Sequence, residues 1–243
     1  MIIPKAKDAQ HKYQMLRLLR TILTDKDLRL KLQFKGGTYA ALRGELNRFS
    51  VDLDFDLPDK TAVKMVRQSC YRIFKKLDLE IKDESKRYLQ FFLRYQAKEK
   101  DRNTLKLEIN DQPNLKNSYE KVHLQEINMY CQAHSLETMV GNKLVAAMAR
   151  FDKNGKIAGR DFYDLHHFFL NGFKVNREVV EYYAKTSYVE YLKKLRQFIQ
   201  NKVTEKLLNQ DLNPLLPSKK LNQVIGNLKP ELLALIKDEI DRA

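Results

Sequence analysis

Three aspartates alternate with apolar residues in the segment of residues 51–57, at Asp52, Asp54 and Asp56. This period-two alternation is typical of a β-strand, in which every second side chain projects from the same face. Carboxylates crowded on one face repel one another, and a divalent cation offsets that repulsion because Mg²⁺ and Mn²⁺ prefer hard oxygen ligands. Two such ions can hold a triphosphate and activate a hydroxyl. The segment therefore predicts a metal site, and the alternative is a solvated acidic edge strand.

A glycine pair, Gly36-Gly37, precedes the aspartates by about fifteen residues. It lies between a predicted strand at residues 30–35 and a predicted short helix at residues 38–43. Backbone N–H groups at a glycine turn and at a helix N-terminus can bind phosphate oxygens, and glycine permits a ligand to approach closely. A strand, a glycine pair and a helix followed by an Asp-x-Asp strand occur together far less often than either part alone. The combination favours a site for metal and phosphate.

The stretch of residues 35–57 resembles the signature of the AbiEii/AbiGii toxin family, in the polymerase-beta-like nucleotidyltransferase superfamily. The matching motifs are Gly36-Gly37-Thr38, Arg48-Phe49-Ser50 and Asp52-Leu53-Asp54-Phe55-Asp56. The resemblance implies that the glycine pair and Thr38 bind the nucleotide and that Asp52 and Asp54 bind the metals. Asp56 is expected to be a supporting residue.

Ser50 lies two residues before Asp52 and is therefore expected near the metals and the nucleotide. A phosphate added to its hydroxyl would clash with an incoming nucleotide, so regulation by modification of Ser50 is a hypothesis. The simpler interpretation is a serine that stabilises a turn.

A third carboxylate is predicted at Glu108, in the alternating segment of residues 103–110. Members of the superfamily commonly place a carboxylate on a neighbouring strand, where it helps to deprotonate the nucleophile or binds a metal. The resemblance thus implies a catalytic role for Glu108. The alternative is a Lys–Glu surface face, because Lys106 and Asn110 share the same side of the strand.

Residues 141–150 and 159–165 resemble the second conserved region of the family, a helix lysine followed by Arg-Asp-x-x-Asp-Leu. The resemblance implies that Lys143 contacts the nucleotide phosphates and that Asp161 completes the site, with Arg160 and Asp164 as neighbours. A lysine within an apolar helix needs a partner, which a triphosphate can provide. A salt bridge between Lys143 and Asp161 is the alternative, and the two roles are compatible. Whether Glu108 or Asp161 acts as the base stays open.

The elements that must position these residues fall into two halves. The predicted fold class is α+β, a polymerase-beta-like mixed sheet with flanking helices followed by an α-helical C-terminal domain. The predicted domains are residues 1–134 for nucleotidyl transfer and residues 135–243 for completing the site and binding the acceptor. Helices are predicted at residues 7–24 and 59–76, and strands at 86–97 and 103–110 around a turn at 98–102. Residues 111–124 show little regular pattern, and beyond residue 135 only helical periodicity is found.

The 243 residues carry 45 Lys plus Arg against 31 Asp plus Glu, a formal charge of +14. This excess favours polyanionic partners such as nucleic acid or nucleotides. No apolar run approaches the roughly 20 residues that span a bilayer, and the N-terminal residues have no signal-peptide core. Two cysteines are too few for a disulfide framework or a zinc site. A cytoplasmic protein that does not contact a membrane is therefore expected.

The resemblance and the charge together predict a toxin that transfers a nucleoside monophosphate from an NTP to an acceptor hydroxyl, with Mg²⁺ or Mn²⁺ as cofactor. The favoured acceptor is the 3′ end of tRNA, and the expected consequences are inhibition of translation and growth and neutralisation by a cognate antitoxin. Lysines and arginines interleaved with four tyrosines between residues 177 and 220 are candidates for an RNA-binding face. The alternatives are a protein or small-molecule hydroxyl as acceptor, and a binding module without catalysis.

Overall fold

The computed structural model describes residues 1–98 and 101–243, so Glu99 and Lys100 of the predicted turn at 98–102 lie outside the described residues. The chain forms two compact units. Residues 1–113 and 119–134 form the first, which we call the sheet unit, and residues 114–118 and 135–243 form the second, the helical unit. The functional division of the chain at residue 134 stays a prediction.

The sheet unit contains a seven-stranded sheet in the order β3-β4-β5-β2-β1-β7-β6. Its strands are β1 Gln33–Lys35, β2 Asp52–Asp56, β3 Glu80–Glu84, β4 Leu89–Arg94, β5 Thr104–Asn110, β6 Tyr119–Leu124 and β7 Met129–His134. The β2–β5 and β1–β7 pairs are parallel and the other pairs are antiparallel. The sheet is therefore mixed, as predicted.

Three helices belong to the sheet unit: α1 Asp8–Thr24, α2 Gly36–Arg43 and α3 Val63–Lys76. Helix α1 buries Met15, Leu18 and Leu19 completely and packs against β2, β5 and β7. Leu53 and Phe55 of β2 are also fully buried. Because successive side chains of a strand point to opposite faces, the aspartates of β2 lie on the other face of the sheet.

The element boundaries differ from the predictions where sequence pattern is weak. The predicted strand at 30–35 is reduced to Gln33–Lys35, and the following helix begins at Gly36, two residues earlier than predicted. Strand β3 was not predicted because four of its five residues are exposed and it lies at the sheet edge. Strand β6 forms the opposite edge and lies in the region that showed little pattern.

The helical unit consists of α4 Leu136–Asn154, α5 Gly159–Leu170, α6 Arg177–Ala184, α7 Tyr188–Lys202, α8 Glu205–Leu212 and α9 Ser218–Arg242. The prediction of a helical C-terminal region is confirmed. Side chains of Ser135, Asn176, Ser187 and Thr204 accept hydrogen bonds from the first turns of α4, α6, α7 and α8, which satisfies N–H groups that have no partner inside a helix. None of the helices in the described ranges has the length and apolarity needed to cross a membrane.

Candidate active site

One face of β1, β2 and β5 carries a row of charged side chains. The parallel register of β2 and β5 sets Asp54 beside Glu108 and Asp52 beside Lys106. On the other side of β2, the register of β1 sets Lys35 beside Asp54. Side chains of paired residues point to the same face of a sheet. The predicted metal ligands and the predicted third carboxylate are thus neighbours on one surface.

The glycine pair leaves room for side chains of the sheet unit. Gly36 has a φ of +80°, and a Cβ atom there would lie 2.5 Å from Oδ2 of Asp54. A Cβ atom at Gly37 would lie 2.8 Å from Nη2 of Arg48 and 3.0 Å from Oγ of Ser50. These distances are too short for any larger residue, so the pair allows the Asp54 carboxylate to lie against the N-terminus of α2. Ser50 is itself buried beside it.

Asp54 carries negative charge that its neighbours do not fully compensate. Its pKa is raised to about 6, mainly by burial. The charges of Asp52 and Glu108 raise it as well, and together they outweigh the opposite effect of Lys35 and Lys106. A carboxylate with a raised pKa in a cluster of acids is characteristic of a site that receives a cation or a proton.

Glu108 has a different environment although it is adjacent to Asp54. Its carboxylate accepts hydrogen bonds from the ammonium of Lys106 and, at 3.1 Å, from Nε2 of Gln90. Burial alone would raise the pKa of Glu108, but the hydrogen bond and charge of Lys106 outweigh it and the net pKa is lowered. The Lys–Glu surface pair considered as an alternative is therefore present, and it keeps the carboxylate ionised.

Asp56, the third aspartate of β2, is fully buried and held by four donors. Its Oδ1 lies 2.6 Å from Nζ of Lys35 and 3.4 Å from Nδ2 of Asn110. Its Oδ2 lies 2.8 Å from Nε2 of His134 and 3.1 Å from the Tyr119 hydroxyl. Burial would raise the pKa of this carboxyl, but the His134 hydrogen bond and the Lys35 charge together lower it to about 2. Asp56 is therefore an ionised carboxylate inside the protein.

Two buried side chains fix the start of β2. Nε2 of His11 donates to the carbonyl of Val51 over 2.8 Å, and the Thr38 hydroxyl donates to the carbonyl of Asp52. Both side chains are fully buried. The hydroxyl of Thr38, predicted to bind the nucleotide, thus contacts the backbone of the first aspartate, where it positions the strand that carries the three aspartates.

The helical unit contains a second charged cluster on α4 and α5. Nζ of Lys143 lies 3.1 Å from Oδ1 of Asp161 and 2.9 Å from Oδ2 of Asp164. The side chains of these residues are 15%, 4% and 0% exposed, so the three form a buried ion cluster. Arg150 approaches Oδ2 of Asp161 at 3.8 Å, but this oxygen accepts no hydrogen bond from the described residues. The salt bridge considered as an alternative is therefore present, and one buried oxygen of Asp161 takes no part in a hydrogen bond with the described residues.

The four tyrosines considered as part of an RNA-binding face divide into two pairs. Tyr188 and Tyr191 are buried, and their hydroxyls form hydrogen bonds inside the unit. Tyr182 and Tyr183 are 39% and 45% exposed, and Nζ of Lys185 lies 4.1 Å from the centre of the Tyr182 ring. Packing accounts for the first pair, and the second pair stays available to a stacking ligand.

The structure brings seven of the predicted site residues together in the sheet unit and two in the helical unit. The first group is Gly36, Gly37, Thr38, Ser50, Asp52, Asp54 and Glu108, and the second is Lys143 and Asp161. The sequence reasoning did not identify His11, His134 or Tyr119 as supports of the site. Their partners lie between 40 and 78 residues away along the chain, so no local spacing signals them.

Solved structures share the fold of this chain, and two of the three described below are named as nucleotidyltransferases. A putative nucleotidyltransferase from Helicobacter pylori matches with a TM-score of 0.60 and 22% identity, over 98% of each chain. JHP933 from Helicobacter pylori matches with a TM-score of 0.58 and 22% identity, over 98% of this chain and 95% of that one. MenT4, a nucleotidyltransferase toxin from Mycobacterium tuberculosis, matches with a TM-score of 0.56 and 17% identity, over 98% of this chain and 88% of that one. At these identities the likeness shows the fold alone.

The comparison at the level of sequence is with a family model. No curated protein matches the chain in a sequence search. The model of the nucleotidyl transferase AbiEii toxins of type IV toxin–antitoxin systems matches residues 17–232, which include the charged row of the sheet unit and the ion cluster of the helical unit. The chain therefore belongs to the AbiEii nucleotidyl transferase toxin family.

Proposed function

We propose that this chain transfers a nucleoside monophosphate from an NTP to an acceptor hydroxyl. The acceptor oxygen bonds to the α-phosphorus, and pyrophosphate leaves with the electrons of the broken P–O bond. Family membership supports the reaction class. The observation that carries the proposal is the charged row, where Asp54 has a pKa of about 6 because of its burial and its acidic neighbours.

A divalent cation, Mg²⁺ or Mn²⁺, fits Asp52 and Asp54 because it would offset the repulsion within the row. Among the described residues, no three His, Cys, Asp or Glu side chains converge as a preformed metal cage. Phosphate oxygens and water would have to complete the coordination, as is usual for Mg²⁺ with nucleotides. When bound, the metal would neutralise phosphate charge and make the acceptor hydroxyl more acidic.

The remaining residues have tasks that follow from their positions. The N-terminus of α2, at Gly36 and Gly37, offers backbone N–H groups to phosphate oxygens. Glu108 is ionised because of Lys106 and can accept the proton of the acceptor hydroxyl. Asp161 is the second candidate for this role, since one of its oxygens accepts no hydrogen bond from the described residues. Lys143 would bind phosphate by exchanging one of its carboxylate partners for a phosphate oxygen.

The proposed acceptor is the 3′ end of tRNA. The formal charge of +14 supports a nucleic-acid partner, and Tyr182 and Tyr183 offer exposed rings beside Lys185. A tRNA that carries an added nucleotide cannot be used normally in translation, so unrestrained activity would stop growth. Membership in a family of type IV toxin–antitoxin systems implies a cognate antitoxin that counteracts this effect.

The test is to incubate the purified protein with total tRNA, Mg²⁺ and each of the four α-³²P-labelled NTPs. Asp52→Ala is the inactive comparison, and Asp83→Ala, at an exposed position of the edge strand β3, is the matched control. Label in tRNA from wild type and Asp83→Ala, with none from Asp52→Ala, is the expected result. Absence of label with every NTP would remove tRNA as the acceptor. Label in a protein or a small molecule would then identify the alternative acceptor, and no label in any of these would favour a binding role.

A further inference from the structure

Lys35 is a basic residue of the charged row and lies next to the glycine pair in the sequence. It is the last residue of β1 and directly precedes Gly36, the first residue of α2. Its cross-strand neighbour is Asp54, and its ammonium forms an ion pair with Oδ1 of Asp56 over 2.6 Å. The ammonium thus lies among the carboxylates of the charged row, close enough for its charge to act on Asp54 and Glu108 as well as on Asp56.

The Asp56 carboxylate, which holds the Lys35 ammonium, also accepts hydrogen bonds from other side chains. Asp56 is fully buried and also accepts from His134, Tyr119 and Asn110. A lysine is expensive to desolvate, and three neutral donors already satisfy much of the hydrogen-bonding capacity of Asp56. The ion pair compensates the buried charge of Asp56 and also fixes the Lys35 ammonium at one position in the charged row, where it can be used for binding.

The accessibility and chemistry of Lys35 indicate what that use is. Its side chain is 22% exposed, whereas Asp56 is inaccessible. An ammonium has three N–H donors, and the ion pair with Asp56 occupies one of them. A triphosphate carries several negative charges, and charge-assisted hydrogen bonds from lysine are a common way to bind its oxygens.

We propose that Lys35 binds the phosphates of the nucleotide, and that Asp56 is a positioning residue that holds the Lys35 ammonium within the charged row. This inference rests on the proposed function, because it assigns a further residue to the same nucleotide site. Lys35 acts in the ground state on phosphate oxygens and takes no proton during transfer. Its effect is therefore expected in nucleotide affinity more than in the rate of the bound complex.

The test is calorimetric titration of each variant, in Mg²⁺ buffer, with tripolyphosphate, the four NTPs and the four nucleoside monophosphates. For Lys35→Met, tripolyphosphate and NTP affinity should fall about ten- to a hundredfold, the usual weight of a hydrogen bond to a charged group. Nucleoside monophosphate affinity should change less than about twofold, since most of the phosphate charge is absent. Lys35→Arg should retain most of the affinity, and Asp56→Asn should lose about threefold because the ammonium loses its anchor. Lys31→Met, a half-exposed lysine before β1, is the matched control.

Lys35→Met also leaves Asp56 without its cation, so a loss of stability must be separated from a loss of binding. The double variant Lys35→Met/Asp56→Asn removes the buried charge along with the lysine, and its NTP affinity should stay as low as that of Lys35→Met. Wild-type affinity in the double variant would overturn the inference, as would an equal loss for NTPs and monophosphates in Lys35→Met. A wild-type protein that binds no NTP and no tripolyphosphate would overturn the proposed function together with the inference.

Discussion

The two units of this protein both bury aspartates, but they balance the charge in opposite ways. In the sheet unit, Asp54 is surrounded by Asp52 and Glu108, and its pKa rises to about 6 through burial and their repulsion. In the helical unit, Asp161 and Asp164 share the ammonium of Lys143 at 3.1 and 2.9 Å. At Asp54 the repulsion of neighbouring acids outweighs the attraction of Lys35 and Lys106, whereas Asp161 and Asp164 both contact one ammonium directly.

This difference separates two ways of building a charged site. Unbalanced carboxylates destabilise the free protein and create affinity for a cation. A carboxylate pair that shares its own lysine has a counter-charge without a ligand, and in the proposed function a phosphate would compete for that lysine. Substitutions should therefore affect mainly catalysis in the sheet unit and both stability and nucleotide binding in the helical unit.

The largest expected effect is on catalysis in the sheet unit. Asp54→Ala should lower the rate of transfer about a thousandfold, because several kcal/mol of charge stabilisation in the transition state depend on the cation at this row. The measurement is incorporation of α-³²P-labelled nucleotide under saturating NTP and Mg²⁺. Activity within tenfold of wild type would show that Asp54 has no part in the reaction, and Asp83→Ala should remain fully active.

The second expected effect is on stability in the helical unit. Lys143→Met should lower the free energy of unfolding by about 3 kcal/mol, because it leaves two buried carboxylates without their cation. Urea unfolding followed by circular dichroism measures the change. Lys153→Met, an exposed lysine on the same helix, should change stability by less than about 0.5 kcal/mol. Equal stability of Lys143→Met and Lys153→Met would contradict the buried ion cluster.

The smallest expected effect has the opposite sign and depends on pH. The pKa of Asp54 in the folded protein, about 6, lies above the ordinary value of 3.8, so ionisation of Asp54 destabilises the fold as the pH rises through 6. In metal-free buffer at pH 8, Asp54→Asn should therefore raise the free energy of unfolding by about 1–2 kcal/mol. The gain should shrink as the pH falls from 6 to 4, which unfolding measured at several pH values will detect. A gain that does not vary with pH would contradict the charge repulsion.

Asp56 provides the control for that measurement, since it lies on the same strand and its pKa is shifted in the other direction, to about 2. Its contribution to stability is present above the ordinary pKa of 3.8 and is lost as the pH falls toward 2. Asp56→Asn should therefore destabilise the protein throughout the range in which Asp54→Asn stabilises it. If both variants change the free energy of unfolding in the same direction, position on β2 governs the result and charge balance does not.

The candidate residues of the site could be predicted because their types and spacing form recognisable patterns within short segments. Alternation within residues 51–57 placed Asp52 and Asp54 on one face, and the glycine pair marked the turn before a helix. Strands β3 and β6 were missed because both lie at sheet edges, where exposed residues do not show the alternation of apolar and polar side chains on which prediction relies. Their places in the sheet depend on pairing with β4 and β7.

The reason for the glycine pair could not be deduced from the sequence. Sequence reasoning assigned it to a ligand that approaches the backbone, which stays a prediction, and the structure adds that Asp54, Arg48 and Ser50 occupy the space beside it. Likewise, His134 and His11 carried no recognisable motif, yet one holds Asp56 and the other holds the start of β2.

The sequence by itself determined the fold class, the family resemblance and the candidate residues, because periodicity and short motifs are properties of neighbouring positions. Only the tertiary structure decided how each carboxylate is charged. Asp54 and Asp56 are two residues apart on one strand, with side chains on the same face. Their pKa values differ because Asp52 and Glu108 lie close to Asp54, whereas the side chains of Lys35 and His134 reach Asp56. The electrostatic energy of a buried charge depends on its neighbours in space.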